Sequence, residues 1–398
     1  MPTNRATASL ACLLLIASAS PAAAAPRKAP GAAAACNQFA FDLLGKLPAA
    51  GNLIVSPLSA ETALAMTAAG ARGATLAEMK RALHLAGVGD ANAEMGRLVT
   101  DLNALDGKQG LAVRVANRIW ARKGLALEPP FVKLTTERYR APIATADFEK
   151  DTEGSRKAIN SWVSEQTRKM IKELLKRGVL VASTPMVLVN AVYMKGQWVN
   201  AFEVKSTVAG DFQTGAATVK AKLMTRTGEY RYAHLDDVQI LELPYKGGLS
   251  MVVFLPDARD GLGALRAKIG ARYGDWVGQL HEQKVNLSLP RFKARTALRL
   301  DKQLEALGMK LAFENKADFS GITHTLPLAI SAVIHEAVIE VNEEGTEAAA
   351  ATAVVMRAGG PPHPIPTVRA DHPFLYVIRD PSSGVILFVG RVANPTVE

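Results

Sequence analysis

Apolar residues recur at helical spacing through much of the first half of the chain and alternate, or run together, through the second. Residues 36–46 place Phe39, Leu43 and Leu44 on one face and predict a helix. Ser56-Pro57 opens another helix, continued by residues 60–69. Serine caps the first turn, and proline suits the first helical position because its missing N–H would have no partner there. Residues 75–83 align Leu76, Met79 and Leu83; residues 155–176 read as one long amphipathic helix with Ile159, Trp162, Val163, Ile171 and Leu174 inward. Residues 111–121 alternate as a strand, and 186–194 form a nearly continuous apolar run, the pattern of a strand covered on both faces. From 207 to 300 the pattern is mostly strands, at 238–243, 250–255 and 285–289, followed by a short helix at 302–307. Strands at 374–378 and 385–389 close a hairpin around Asp380-Pro381-Ser382-Ser383-Gly384. No repeat and no linker interrupts residues 36–394, and the order of elements is not βαβ, so one α+β domain is expected.

One stretch departs from these patterns. A strand-like run, 331–341, leads into Glu343-Glu344-Gly345-Thr346-Glu347-Ala348-Ala349-Ala350-Ala351-Thr352 and then Gly359-Gly360-Pro361-Pro362-His363-Pro364. The second part suits neither sheet nor helix. The first is made mostly of small residues that fit between two other strands without steric conflict.

Composition narrows the class. The chain has 398 residues, 48% hydrophobic and 21% charged, enough for a large core that needs no disulfide staple. Residues 1–24 read as an export signal: Arg5, a short apolar stretch at 10–17, then Ala22-Ala23-Ala24. The expected location is therefore secreted or periplasmic, with residues 25–35 a flexible Ala/Pro-rich tail and 36–395 the domain. No later run of 18 apolar residues follows, so no membrane partner is implied. Beyond the signal one cysteine is left, Cys36, an apolar-flanked residue expected to be inert core. The net charge is +10, yet the densest basic cluster, Arg168, Lys169, Lys172, Lys176 and Arg177, reads as a solvated helix end complementing the dipole rather than as a nucleic-acid or glycan site. His281-Glu282 and His335-Glu336 both lack the second histidine of a zinc-protease helix. No nucleophile elbow or phosphate loop appears, so neither enzyme, metal nor cofactor is implied. His335 lies in an apolar strand and is expected to be a buried, hydrogen-bonded residue.

An ordered set of motifs resembles the serpin family over 36–395. Asn52-Leu53-Ile54-Val55-Ser56-Pro57-Leu58-Ser59 is similar to the start of its helix B, and Val189-Asn190-Ala191-Val192-Tyr193-Met194-Lys195-Gly196-Gln197-Trp198 to strand 3 of its main sheet. Glu343 to Thr352 is similar to the hinge of its reactive loop, 368–378 to the signature beyond that loop, and Phe388-Val389-Gly390-Arg391-Val392 to its C-terminal strand. Met194 stands where the family usually has an aromatic residue, a packing exchange. The resemblance implies a single domain with three β-sheets, eight or nine helices and an exposed reactive-centre loop at about 343–367. A bacterial, exported member is expected.

The resemblance also implies a mechanism. A protease attacks the loop, forms an acyl-enzyme, and is dragged across the molecule as the cut loop inserts into the main sheet. With Gly345 leading, Thr346, Ala348, Ala350, Thr352, Val354 and Met356 point inward and none is charged, while Glu347 and Arg357 fall on the other face. Family members without inhibitory activity can hold this loop as a helix, which Glu347 and its alanines also suit. Ser56, Ser59, Asn190 and His335 match the polar cluster where the sheet parts; Trp198 matches the aromatic where insertion begins; Glu343 and Arg291 match a pair at the loop's base. Family spacing from Gly345 places the cut between Gly359 and Gly360, ahead of Ala358 and then Arg357, whereas counting back from Val368 gives Pro362. The expected partner is a serine protease, elastase-like or subtilisin-like for a small residue at the cut and trypsin-like for Arg357, with a papain-like cysteine protease or a non-inhibitory binding role as alternatives. The region after Ala91 holds only Arg97 and Lys108 as basic residues, so no heparin-type site is expected there. The protein is expected to be a monomer.

Overall fold

The computed structural model describes residues 31–346 and 364–397. Among these, the helices are α1 (Gly31–Lys46), α2 (Pro57–Ala69), α3 (Gly73–Ala82), α4 (Ala91–Asn103), α5 (Pro129–Tyr139), α6 (Thr152–Gln166), α7 (Leu262–Gly278) and α8 (Asp301–Ala306). The strands are β1 (Leu53–Val55), β2 (Ala112–Arg122), β3 (Ala144–Ala146), β4 (Met186–Gln197), β5 (Thr207–Gln213), β6 (Thr218–Leu235), β7 (Val238–Pro244) and β8 (Ser250–Pro256). They continue with β9 (His281–Pro290), β10 (Phe292–Arg299), β11 (Ile334–Asn342), β12 (Gly345–Thr346), β13 (Thr367–Arg369), β14 (Phe374–Arg379) and β15 (Ile386–Val392).

Three sheets were expected; the described strands join into two hydrogen-bonded networks. One has the order β10-β11-β12-β4-β2-β3, and the other β1-β15-β14-β8-β7-β6-β9-β13 with β5 on β6. The reason is β6, which spans 18 residues and pairs β5 at its start, β7 at its end and β9 over most of its length. It stitches together what shorter strands would leave as separate sheets.

Helix α2 runs through the interior and is buried from Pro57 to Ala68. In a helix covered all round, polar side chains turn to the helix's own carbonyls, and Thr62 and Thr67 donate to Leu58 O and Ala63 O at 2.7 and 2.9 Å. Ser56 is its N-cap, accepting from Ser59 N at 3.4 Å, with Pro57 at the first helical position, as the sequence predicts.

Three elements differ from the sequence reading. Helix α1 starts at Gly31, inside the 25–35 segment expected to be a flexible tail. Ala32, Ala33 and Ala35 are buried, and Ala32 N donates to Glu94 at 2.8 Å, so packing joins alanine's helix propensity. The helix expected over 155–176 stops at Gln166. Thr167 donates to Val163 O at 2.9 Å and accepts from Ile171 N at 3.1 Å, while Arg168 and Lys169 turn into the left-handed region (φ 48° and 67°). The chain thus doubles back, and Ile171 and Leu174 are buried from a return segment rather than from a helix face. Helix α7 lies within the stretch read as mostly strands; Leu265, Ile269, Tyr273 and Trp276 form its buried face at helical spacing.

Candidate functional site: a slot in the six-stranded sheet

Strands β4 and β11 lie side by side in the six-stranded sheet, but only β12 is seated between them. Gly345 and Thr346 pair with Asn342 and Val341 on one side and with Gln197 and Gly196 on the other, antiparallel to both. Beyond that point no ladder among the described residues joins β4 to β11. The sheet therefore holds a slot whose upper end is filled by the first residues of the loop.

Gly345 adopts φ +149°, and a Cβ there would lie 2.0 Å from Gly196 O, so neither its backbone angle nor its seat admits a larger residue. Thr346 is 2% exposed, and its hydroxyl meets Tyr245 Oη at 2.9 Å inside the core. The side chain thus takes the inward face that alternation assigns to it.

Trp198 holds the mouth of the slot. Its ring stacks on Tyr245 with centroids 4.2 Å apart, its indole N–H donates to Asn342 O at 3.0 Å, and its backbone N–H donates to Glu344 O at 2.8 Å. Glu343 is buried beside it and accepts from Arg291 Nε at 2.6 Å and from the Thr207 hydroxyl. Burial pushes the Glu343 carboxyl up, but the Arg291 and Thr207 hydrogen bonds outweigh it and hold the group below the usual carboxylate range.

Further along the slot, polar residues meet. His335 on β11 is 1% exposed, and its Nε2 accepts from Ser56 N at 3.0 Å. On β4, Asn190 donates to Ser59 and, at 2.7 Å, to Asn117 Oδ1. Burial pushes the His335 imidazole down to about 4, so the ring is neutral at physiological pH. With Nε2 accepting, its proton sits on Nδ1. That Nδ1 and the Asn190 Oδ1 are both buried without a hydrogen-bond partner, one a donor and one an acceptor. Asn190 and His335 also line a cavity of about 20 Å³, adjoined by an apolar one of about 40 Å³ bounded by Leu175, Leu188 and Ile334.

The structure places Ser56, Ser59, Asn190 and His335 in one cluster, and Trp198, Arg291, Glu343, Glu344, Gly345 and Thr346 around the mouth. Glu347, Ala348, Ala349, Ala350, Ala351 and Thr352, the bond candidates Arg357, Ala358, Gly359 and Gly360, Pro362, and the signal at 1–24 lie outside the described residues. Three contributors were not singled out from sequence. Tyr245 and Thr207 carry no local signal, since their partners are about a hundred positions away or more. Asn117 did carry one: a polar residue among the inward-facing positions of an alternating strand. Cys36 is fully buried, where desolvation raises its thiol, consistent with inert core.

A mixed α+β fold whose main sheet leaves two neighbouring strands unpaired below the start of a long loop defines a protein able to accept a further strand. A family model described as Serpin (serine protease inhibitor) matches residues 34–395. The leukocyte elastase inhibitor of Bos taurus is 39% identical over 376 residues, covering 91% of this chain and 99% of that protein. Serpin B8 of Homo sapiens is 39% identical over 362 residues, covering 89% and 96%. Among solved structures, a cleaved Serpin 42Da aligns with a TM-score of 0.81 at 32% identity, over 92% of this chain and 98% of that one. The chain belongs to the serpin family.

Proposed function

We propose that this serpin is an irreversible, suicide-type inhibitor of serine proteases that acts by cleavage of its reactive loop and insertion of the cut segment into the slot. The observation that carries this is β12: the leading residues already sit between β11 and β4, antiparallel to both, with Thr346 inward. Extending the same register sets Ala348 opposite Ile339 and Met194, Ala350 opposite Ala337 and Val192, and Thr352 opposite His335 and Asn190. The small residues thus meet the apolar part of the slot. The threonine hydroxyl arrives where an unpartnered donor and acceptor wait.

The cut is assigned to Gly359-Gly360, with Ala358 and Arg357 behind it. An elastase-like target comes first, supported by the name of the bovine relative, with subtilisin-like and trypsin-like enzymes next. Ser56, Ser59, Asn190 and His335 act as the parting cluster, and Trp198, Arg291 and Glu343 as the latch at the mouth. The signal-like pattern of residues 1–24 supports export to the cell exterior or periplasm, and the inhibitor is proposed to act as a monomer. The vertebrate relatives lend no support to a bacterial source.

Mixing the protein with an elastase-like and a trypsin-like protease and running a denaturing gel tests the reading. A covalent complex that survives denaturation, with the loop cut after Gly359, is the expected result. Complete loop cleavage with no complex for any protease tried would favour a non-inhibitory binding role.

A further inference from the structure

Three residues of the basic cluster that the sequence assigns to a helix end, Arg168, Lys169 and Lys172, also line a folded groove. Because α6 stops at Gln166 and the chain reverses through the left-handed Arg168 and Lys169, the cations do not fan around a cylinder. Those on the return segment lie across a gap from Lys157 of α6. Lys157 on α6 and Arg168, Lys169 and Lys172 on the return segment line this groove, against Glu165 and Glu173. Helix-dipole compensation accounts for Arg168 and Lys169, which follow the helix end, but not for Lys157 or Lys172.

The groove is held open by buried contacts rather than by its own charges. Asn160 clasps the return segment in both directions, donating to Leu175 O at 2.9 Å and accepting from Leu175 N at 2.8 Å. Arg156, 6% exposed, donates to the same carbonyl at 2.7 Å and to Glu173 at 2.7 Å, so Glu173's charge is already engaged. Lys176 also pairs with Glu173 at 3.2 Å, and Arg168 with Asp106 at 3.5 Å. Lys157, Lys169 and Lys172 are exposed and have no ion-pair partner among the described residues. Three exposed ammonium groups on two walls fixed in advance, of which Lys157 also feels Glu153, lower the ordering cost of capturing an anion.

We propose that this groove is a binding site for a compact multivalent oxyanion, a molecule carrying several phosphate or sulfate groups. This goes beyond the inhibitory reading and does not depend on it. A compact ligand fits better than a long chain because the free lysines are confined to one short groove and do not continue as a stripe. Occupancy would tie α6 to the return segment, and both pack on the sheet face that spans the slot, against Val187 and Val189 of β4 and Ile334 and Val338 of β11.

Titration calorimetry with inorganic tripolyphosphate and with sucrose octasulfate, at low salt and at 0.15 M, tests the proposal and separates the phosphate from the sulfate source. Saturable binding of either probe that raises the melting temperature is expected. The exposed-residue variant Lys157→Gln/Lys169→Gln/Lys172→Gln should bind at least tenfold more weakly with an unchanged melt when unliganded. Glu165→Gln, which removes an opposing charge, should tighten binding severalfold. Absence of saturable binding at low salt, affinity unchanged in the triple variant, or tighter binding of a single-stranded oligonucleotide than of either compact probe would overturn it.

Discussion

At the scale of single residues, Glu61 and His335 resist ionisation in opposite directions. Glu61 faces Cys36 from the middle of α2 and is fully buried. Burial pushes its carboxyl up to about 8 against a smaller pull from the Cys36 thiol; neither oxygen has a partner of good hydrogen-bond geometry, so that thiol contact is weak. Between pH 4.5 and about 8 the unfolded chain has released this proton and the folded chain keeps it, so stability falls as pH rises through that window. His335, held down to about 4 from 6.5, works the other way: the unfolded chain takes up a proton that the folded chain refuses, and stability falls as pH drops across that range. The two slopes oppose one another at mildly acid pH, and Glu61 acts alone between pH 6.5 and about 8. Urea midpoints should therefore decline over that upper interval in the wild type and stay level in Glu61→Gln. An equal decline in the variant would show that another group is responsible. At the mouth, Arg291→Ala leaves the buried Glu343 with Thr207 as its remaining side-chain partner. Because Arg291 is itself one-third exposed, the cost should be about 1–3 kcal/mol rather than that of a fully buried pair, readable in the same unfolding assay.

At the scale of elements, alternation decides the fate of the loop. Thr346→Arg would push a charge against Tyr245 in the core, so it should turn inhibitor into substrate: the loop is cut, but no covalent complex builds up. Thr352→Val tests the longer register. Removing the hydroxyl that would reach His335 and Asn190 should increase the share of protease that escapes, while leaving the intact protein's melt unchanged. Undiminished inhibition by either variant contradicts the register drawn from β12. Most of this was legible beforehand because strands and hinge obey local rules of spacing. Ser56-Pro57 begins α2, and Thr346 takes the inward side of β12. The failures have a common cause in long-range contacts. The end of α6 depends on Thr167 and on two left-handed residues that composition does not mark, and the 31–35 stretch is held in α1 by burial and by Glu94, on α4, which accepts from Ala32 N. In the case of α7, a helical period was present but lay among strands, whose pattern prevailed in the reading.

At the scale of the whole molecule, the sheet is incomplete and its outer face is covered. Together with Phe148, which precedes α6, the helix and the return segment bury Ile159, Val163, Ile171 and Leu174 against residues from both sides of the slot. Admitting a full strand separates β4 from β11 by a further ~4.8 Å and shifts the ground on which this cover rests. On the proposed mechanism the native arrangement is a kinetic holding state, in which the unpaired edges of β4 and β11, two small cavities and the orphan polar atoms among the described residues would be relieved once the loop is cut. Insertion of roughly fifteen residues would carry the cut end about 50 Å, past the full length of both edges. The most direct test is a thermal melt of the intact protein beside the same protein nicked once within 357–360. The account predicts that the nicked form melts far above the intact one, because the freed segment has completed the sheet. An unchanged or lower melting temperature, with the cut confirmed by sequencing, would contradict it.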